Sequence, residues 1–178
     1  WMIFRADSEL AGGGCPARCS WGHGWEYRYG IDFGFTESPT AVVVCAVNRE
    51  IRTLRILEAV YKKGLVASEI AALCKRMGLL RAHFLADSSH MMAIEEMRRY
   101  GMTAIEPVKK GAGSIIVGIE RVKEYKIEID AHCAEFIHEI SNYRWAPSKV
   151  REDEYLDDPD KNQADHGLDA MRYALSQD

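Results

Sequence analysis

Three aspartates stand where they could do metal chemistry. Asp32 lies in the strand-like run YRYGIDFG, between Ile31 and Phe33; Asp87 closes the run RAHFLAD; Asp169 lies in NQADHGLDAMRYAL. An acid among strand formers costs stability unless something compensates it, and a bound cation does so. We read the three as one metal-binding constellation. A phosphodiester is anionic and repels hydroxide, and two divalent ions about 4 Å apart overcome that repulsion. Hard ions such as Mg²⁺ or Mn²⁺ take oxygen ligands, which makes aspartate the natural donor. Asp165 and His166 precede Asp169 by one helical turn, so His166 is placed to position water, move a proton or touch a phosphate, and equally to bind the metal or cap the helix. Lys109 and Lys110, followed by Gly111, suit a contact with a nucleic-acid phosphate, and Gly30 and Gly34 would let a backbone phosphate come close. Each acid also has a local reading: Asp32 in a turn, Asp87 before a helix cap, Asp169 paired with Arg172.

These residues need rigid elements to hold them. Tyr27–Asn48 reads as a strand, a proline-containing turn and a second strand, and IRTLRILEAVYKK as a third strand. VASEIAALCKRMGL is a helix with Ile70, Leu73 and Met77 on one face, ended by Gly78. RAHFLAD is a short strand, and Ser88 or Ser89 can cap the helix HMMAIEEMRRYG, which stops at Gly101. TAIEPV and KIEI are brief strands. SIIVGIERVKEY is helical on a stripe of Ile115, Ile119 and Val122, and AHCAEFIHEISNY on Ala134, Ile137 and Ile140. RWAPSKVREDEYLDDPDKN is a long loop or irregular hairpin, and the last helix buries Leu168, Met171 and Leu175. This order describes an α/β domain with a mixed sheet covered on both faces. If the first and fourth strands are neighbours, Asp32 and Asp87 emerge side by side. A helix laid across the strand ends then brings in Asp169.

Composition excludes little but bounds the class. The 178 residues are 47% hydrophobic and 28% charged, ordinary for a globular domain. No run approaches the roughly eighteen apolar residues of a membrane span, and the start shows no signal-peptide pattern. Five cysteines fit a reducing compartment better than a disulfide framework. The net charge of -4 does not exclude nucleic acid, because affinity follows a local basic patch. Residues 1–26 are glycine-rich and aperiodic and read as a linker or extension, with residues 27–178 as the domain. Cys15, Cys19 and His23 carry a faint zinc signature at a non-standard spacing.

YGIDFGFTESPTAVVV, FLADSS, KGAGSIIVGI, EFIHEISNYRW and ADHGLDAMRYAL together resemble the nuclease domain of the large terminase subunit of tailed bacteriophages, from about Tyr27 to Leu175. The C-terminal pattern DHxxDAxRYA carries most of the specificity. The resemblance implies a ribonuclease H-like fold, a mixed sheet of five or more strands flanked by helices. It also implies a metal-dependent endonuclease that cuts concatemeric viral double-stranded DNA during packaging, in the cytoplasm of a bacterial host. Asp32, Asp87 and Asp169 are then the ligands of two Mg²⁺ or Mn²⁺ ions, with His166 beside them. The family enzyme carries an N-terminal ATPase and works with a portal and a small terminase subunit. No G-x-x-x-x-G-K-[S/T] loop occurs here, so the chain looks like the separated nuclease half. Other nucleases of the same fold (a ribonuclease H, a junction resolvase, a transposase) and a catalytically dead DNA-binding module are the competing expectations. Neutralising any one acid is expected to abolish cutting and, by relieving repulsion among the three, to raise the melting temperature.

Overall fold

A computed structural model describes residues 3–6, 23–34, 37–148 and 155–176. The strands β1 (Ile3–Ala6), β2 (Trp25–Asp32), β3 (Pro39–Asn48), β4 (Thr53–Lys63), β5 (Phe84–Ala86), β6 (Glu106–Pro107) and β7 (Lys126–Asp130) form one sheet, in the order β1-β7-β4-β3-β2-β5-β6. β2, β3 and β4 are antiparallel neighbours, whereas β5 pairs parallel with β2 and β7 parallel with β4. The mixed sheet is the expected one. The strand at Ile3–Ala6, paired with β7, and the start of β2 at Trp25 lie ahead of the first strand read from the sequence. Cys15 and Cys19 fall outside the described residues.

β3 is apolar almost throughout because both of its faces are covered. Val42 and Val44 join the cluster under α1 (Ala67–Arg76) and α2 (Met91–Arg99). Ala41, Val43, Cys45 and Val47 face α3 (Ser114–Lys123), α4 (Ala134–Asn142) and α5 (His166–Ala174). The strand period of two thus sorts one sequence run between two cores. A bulge opposite Val44 and Cys45 leaves Leu57 of β4 without a partner residue, so the alternation of β4 changes phase at Glu58.

Gly78 and Gly101 have φ of 71° and 101° and end α1 and α2 as expected. The cap before α2 is different: the Asp87 carboxylate, not Ser88 or Ser89, accepts from the Ser89 N–H, opening a 3₁₀ turn that leads into the helix. Two helical stripes are displaced. Ile115 is exposed while Ile119 and Val122 are buried, and α4 buries Phe136, Glu139 and Ile140 rather than Ala134. Within the polar stretch after α4, β8 (Trp145–Pro147) and β9 (Tyr155–Pro159) pair antiparallel.

Candidate active site

Asp32 is the last residue of β2. Its neighbour Ile31 pairs with Ala86 of β5, and the Asp87 N–H donates to the Ile31 carbonyl at 3.1 Å. Parallel pairing therefore delivers both carboxylates at the same end of neighbouring strands. α5 lies directly over β2 and β3 because residue 30 is glycine. A Cβ there would sit 1.8 Å from the Ala170 carbonyl oxygen and 3.2 Å from the Ala174 Cβ. Gly30 thus admits a helix backbone, not a phosphate. The Gly34 space is likewise filled, by the backbone of Ser38 and Pro39 within 2.4 Å of a notional Cβ. With α5 pressed on Gly30, Asp169 in its first turn comes near enough for its charge to act on Asp32.

The start of α5 is held from outside. Its own N-terminal residues supply no side-chain cap; instead the buried Glu139 of α4 accepts from the Leu168 N–H at 2.7 Å. A carboxylate at a helix N-terminus satisfies an orphan donor and opposes the dipole. Gly167 lets this turn close on Tyr61, whose hydroxyl oxygen would lie 1.8 Å from a Cβ at 167. Glu139 is distant in sequence, and it sits one residue off the expected apolar face of its helix.

Each of the three acids is turned to a different basic side chain. His166 Nδ1 lies 2.9 Å from Asp32 Oδ2, and Lys110 Nζ lies 2.6 Å from Asp87 Oδ1. Arg172, itself buried, pairs with Asp169, and the Tyr173 hydroxyl donates to the same carboxylate at 3.4 Å. The ammonium of Lys110 stands 4.9 Å over the Tyr173 ring. Lys109 is exposed on the following loop. Asp87 and Asp169 are thus each paired with a cation, which narrows the expected rise in melting temperature on neutralisation to Asp32. For Asp87 or Asp169 the change would also strand a cation.

Protonation follows from this packing. Burial raises the Asp32 pKa, and the charges of Asp169 and Asp87 add to it against the His166 hydrogen bond. Asp165 is pushed up to about 6 by burial and then by Asp169, and burial raises Glu139. The hydrogen bond to Asp32 raises His166. Burial alone would raise Asp87 too, but the Lys110 and Ser89 hydrogen bonds outweigh it and its pKa is lowered. A raised group contributes stability that is complete below its ordinary pKa and lost as pH climbs through the raised value. Asp32, Asp165, Glu139 and His166 all act in that sense. Asp87 acts in the other, its contribution disappearing only as pH falls below the usual carboxylate range. In chelator, the melting temperature should therefore fall as pH rises from about 5 to 8. Thermal melts across that window check this, and a rising melting temperature contradicts it.

A mixed sheet with acids at the ends of two paired central strands, and a third acid on a helix across them, is the ribonuclease H-like architecture. The chain belongs to the family described as Terminase RNAseH like domain, which matches residues 32–177. Over 153 residues it is 31% identical to the PBSX phage terminase large subunit of Bacillus subtilis (strain 168), covering 84% of this chain and 34% of that protein. Over 156 residues it is 25% identical to the large terminase subunit of Escherichia phage T5, covering 85% of this chain and 35% of that one. The chain thus spans about a third of the length of these relatives. The g2p large terminase nuclease domain of bacteriophage SPP1, solved with bound Mn, superposes with a TM-score of 0.85 at 21% identity, over 98% of this chain and 96% of that one. Among the described residues no helix is long and apolar enough to cross a membrane.

Proposed function

We propose that this domain is the nuclease of a large terminase subunit, a metal-dependent endonuclease that cuts double-stranded viral DNA during genome packaging. The observation that carries the reading is the placement of Asp32 and Asp87 on paired parallel strand ends with Asp169 beside them on α5. The donor set fits hard divalent ions: three carboxylates on rigid elements, one of them raised in pKa by burial and by its two acidic neighbours. Mg²⁺ or Mn²⁺, two ions in our reading, would be held by these carboxylates and would supply Lewis acidity for phosphodiester hydrolysis.

The rest is done by the chain itself. Asp32 is the acid on which both of the others act, and its bond to His166 Nδ1 orients that ring with Nε2 left to hold or pass a proton. Arg172, buried and bound to Asp169, fixes the carboxylate against α5. Lys110 reaches Asp87 on a flexible stem and can turn to a DNA phosphate, with the exposed Lys109 next to it. Phosphate contacts position DNA without reading sequence, so cutting should show little base preference. In the whole protein the partners would be an N-terminal ATPase, the portal and the small terminase subunit, in the cytoplasm of a bacterial host.

The test is supercoiled plasmid incubated with the domain and Mg²⁺, Mn²⁺, Ca²⁺ or chelator. Nicked and linear forms should appear with Mg²⁺ and Mn²⁺ and be absent with Ca²⁺ or chelator, because the larger, looser coordination of Ca²⁺ activates water poorly. ATP should change nothing. Cleavage that survives chelator, or none with either active ion at high protein concentration, overturns the proposal.

A further inference from the structure

A second cluster of ligating side chains lies away from the three aspartates. β7 ends at Asp130, and β7 is separated from β2 by β4 and β3. The chain then turns: the Cys133 N–H donates to the Asp130 carbonyl at 3.0 Å, and the His132 N–H donates to the Asp130 carboxylate at 3.2 Å. This turn sets His132 and the buried Cys133 side by side at the entrance to α4. Glu58, the residue just past the bulge at Leu57 in β4, lies beside them. One ligating atom from each of Glu58, His132 and Cys133 lies within 4.8 Å of the others.

The individual distances are informative. His132 Nε2 is 3.3 Å from Glu58 Oε2 and 3.7 Å from Cys133 Sγ. A tetrahedral ion with bonds of about 2.0–2.3 Å keeps its ligand atoms roughly 3.3–3.8 Å apart. His132 is also oriented for ligation. Its Nδ1 lies 2.6 Å from Asp130 Oδ1, the carboxylate–imidazole pairing that fixes a ring and leaves Nε2 for a metal. It is Nε2 that faces Glu58 and Cys133.

We propose that Glu58, His132 and Cys133 bind a transition metal of the zinc type, with Asp130 holding the histidine. A mixed oxygen, nitrogen and sulfur set suits Zn²⁺ or Co²⁺ and not the oxygen-seeking Mg²⁺. On ligation the Cys133 S–H gives its proton to solvent and the thiolate sulfur bonds the metal. With three protein ligands and a half-exposed histidine, the fourth position falls to water. The ion would tie the bulged part of β4 to the turn that starts α4, the helix whose Glu139 holds α5. This site does not depend on the nuclease reading, since its ligands and its metal class are different.

Co²⁺ is the probe, because its bond to a thiolate gives a charge-transfer absorption that carboxylate sites lack. The purified chain, stripped with chelator, is titrated with Co²⁺ and the bound Co²⁺ then displaced with Zn²⁺. A saturable thiolate band is expected, unchanged in Asp32→Asn and in a Cys15→Ser/Cys19→Ser double variant. It should vanish in Cys133→Ala, and affinity should fall at least about tenfold in His132→Ala and Asp130→Asn. Circular dichroism reports whether Cys133→Ala folds; if it does not, Glu58→Gln and His132→Ala, at partly exposed positions, decide. The proposal is overturned if no thiolate band forms, if the band survives in a folded Cys133→Ala, or if His132→Ala and Glu58→Gln both bind Co²⁺ as the parent does. In those cases His132 is only an ion-pair partner of Asp130 and Glu58.

Discussion

Asp32→Asn should lower the rate of metal-dependent plasmid cleavage by more than about a hundredfold, beyond the 10–100-fold usual for a residue that merely supports a metal ligand. Asparagine keeps the volume of the side chain and one oxygen but loses the charge. Asp32 is buried, and the charges of Asp169 on α5 and of Asp87, just past the end of β5, both act on it. The fold should survive, because burial and two neighbouring acids already oppose the ionised form. His166→Ala should lower the rate by at least roughly tenfold, the scale of a lost group that supports a metal ligand or moves a proton. Cleavage kinetics with Mn²⁺, alongside circular dichroism, check both. Half of the parent activity in Asp32→Asn would remove Asp32 from the site.

Gly30→Ala should be the most damaging change of a single methyl group. The new Cβ would lie 1.8 Å from the Ala170 carbonyl oxygen, a backbone atom that cannot swing aside. Either α5 lifts off β2 or the sheet distorts, and overpacking of this kind costs about 3 kcal/mol or more. α5 carries both His166 and Asp169, so any variant that still folds should have lost most of its cleavage. Urea unfolding and plasmid cleavage measure the two effects. Parent-like values in both would mean that α5 does not seat on Gly30.

The three aspartates were legible because each stands in a setting that sequence can display: a charge inside an apolar run, a charge closing one, and a helical DHxxDAxRYA pattern. The adjacency of Asp32 and Asp87 was legible once the first and fourth strands were taken as neighbours, and β2 and β5 do pair. What stayed hidden is long-range. Nothing local shows that Gly30 receives a helix, that Glu139 satisfies the first turn of α5, or that Lys110 pairs with Asp87. α4 read one face out of step because its buried glutamate was counted as polar surface. The Glu58–His132–Cys133 cluster joins a bulge to a turn on another strand, and no spacing in the chain announces it.

If Asp32, Asp87 and Asp169 form one divalent-metal site, anomalous diffraction from a Mn²⁺-soaked crystal will show the ion there. Manganese is expected on the Asp32 carboxylate and shared with Asp87 and Asp169, with Lys110 withdrawn from Asp87. Manganese found only at other residues, or the three carboxylates still turned to His166, Lys110 and Arg172 at saturating Mn²⁺, would contradict it.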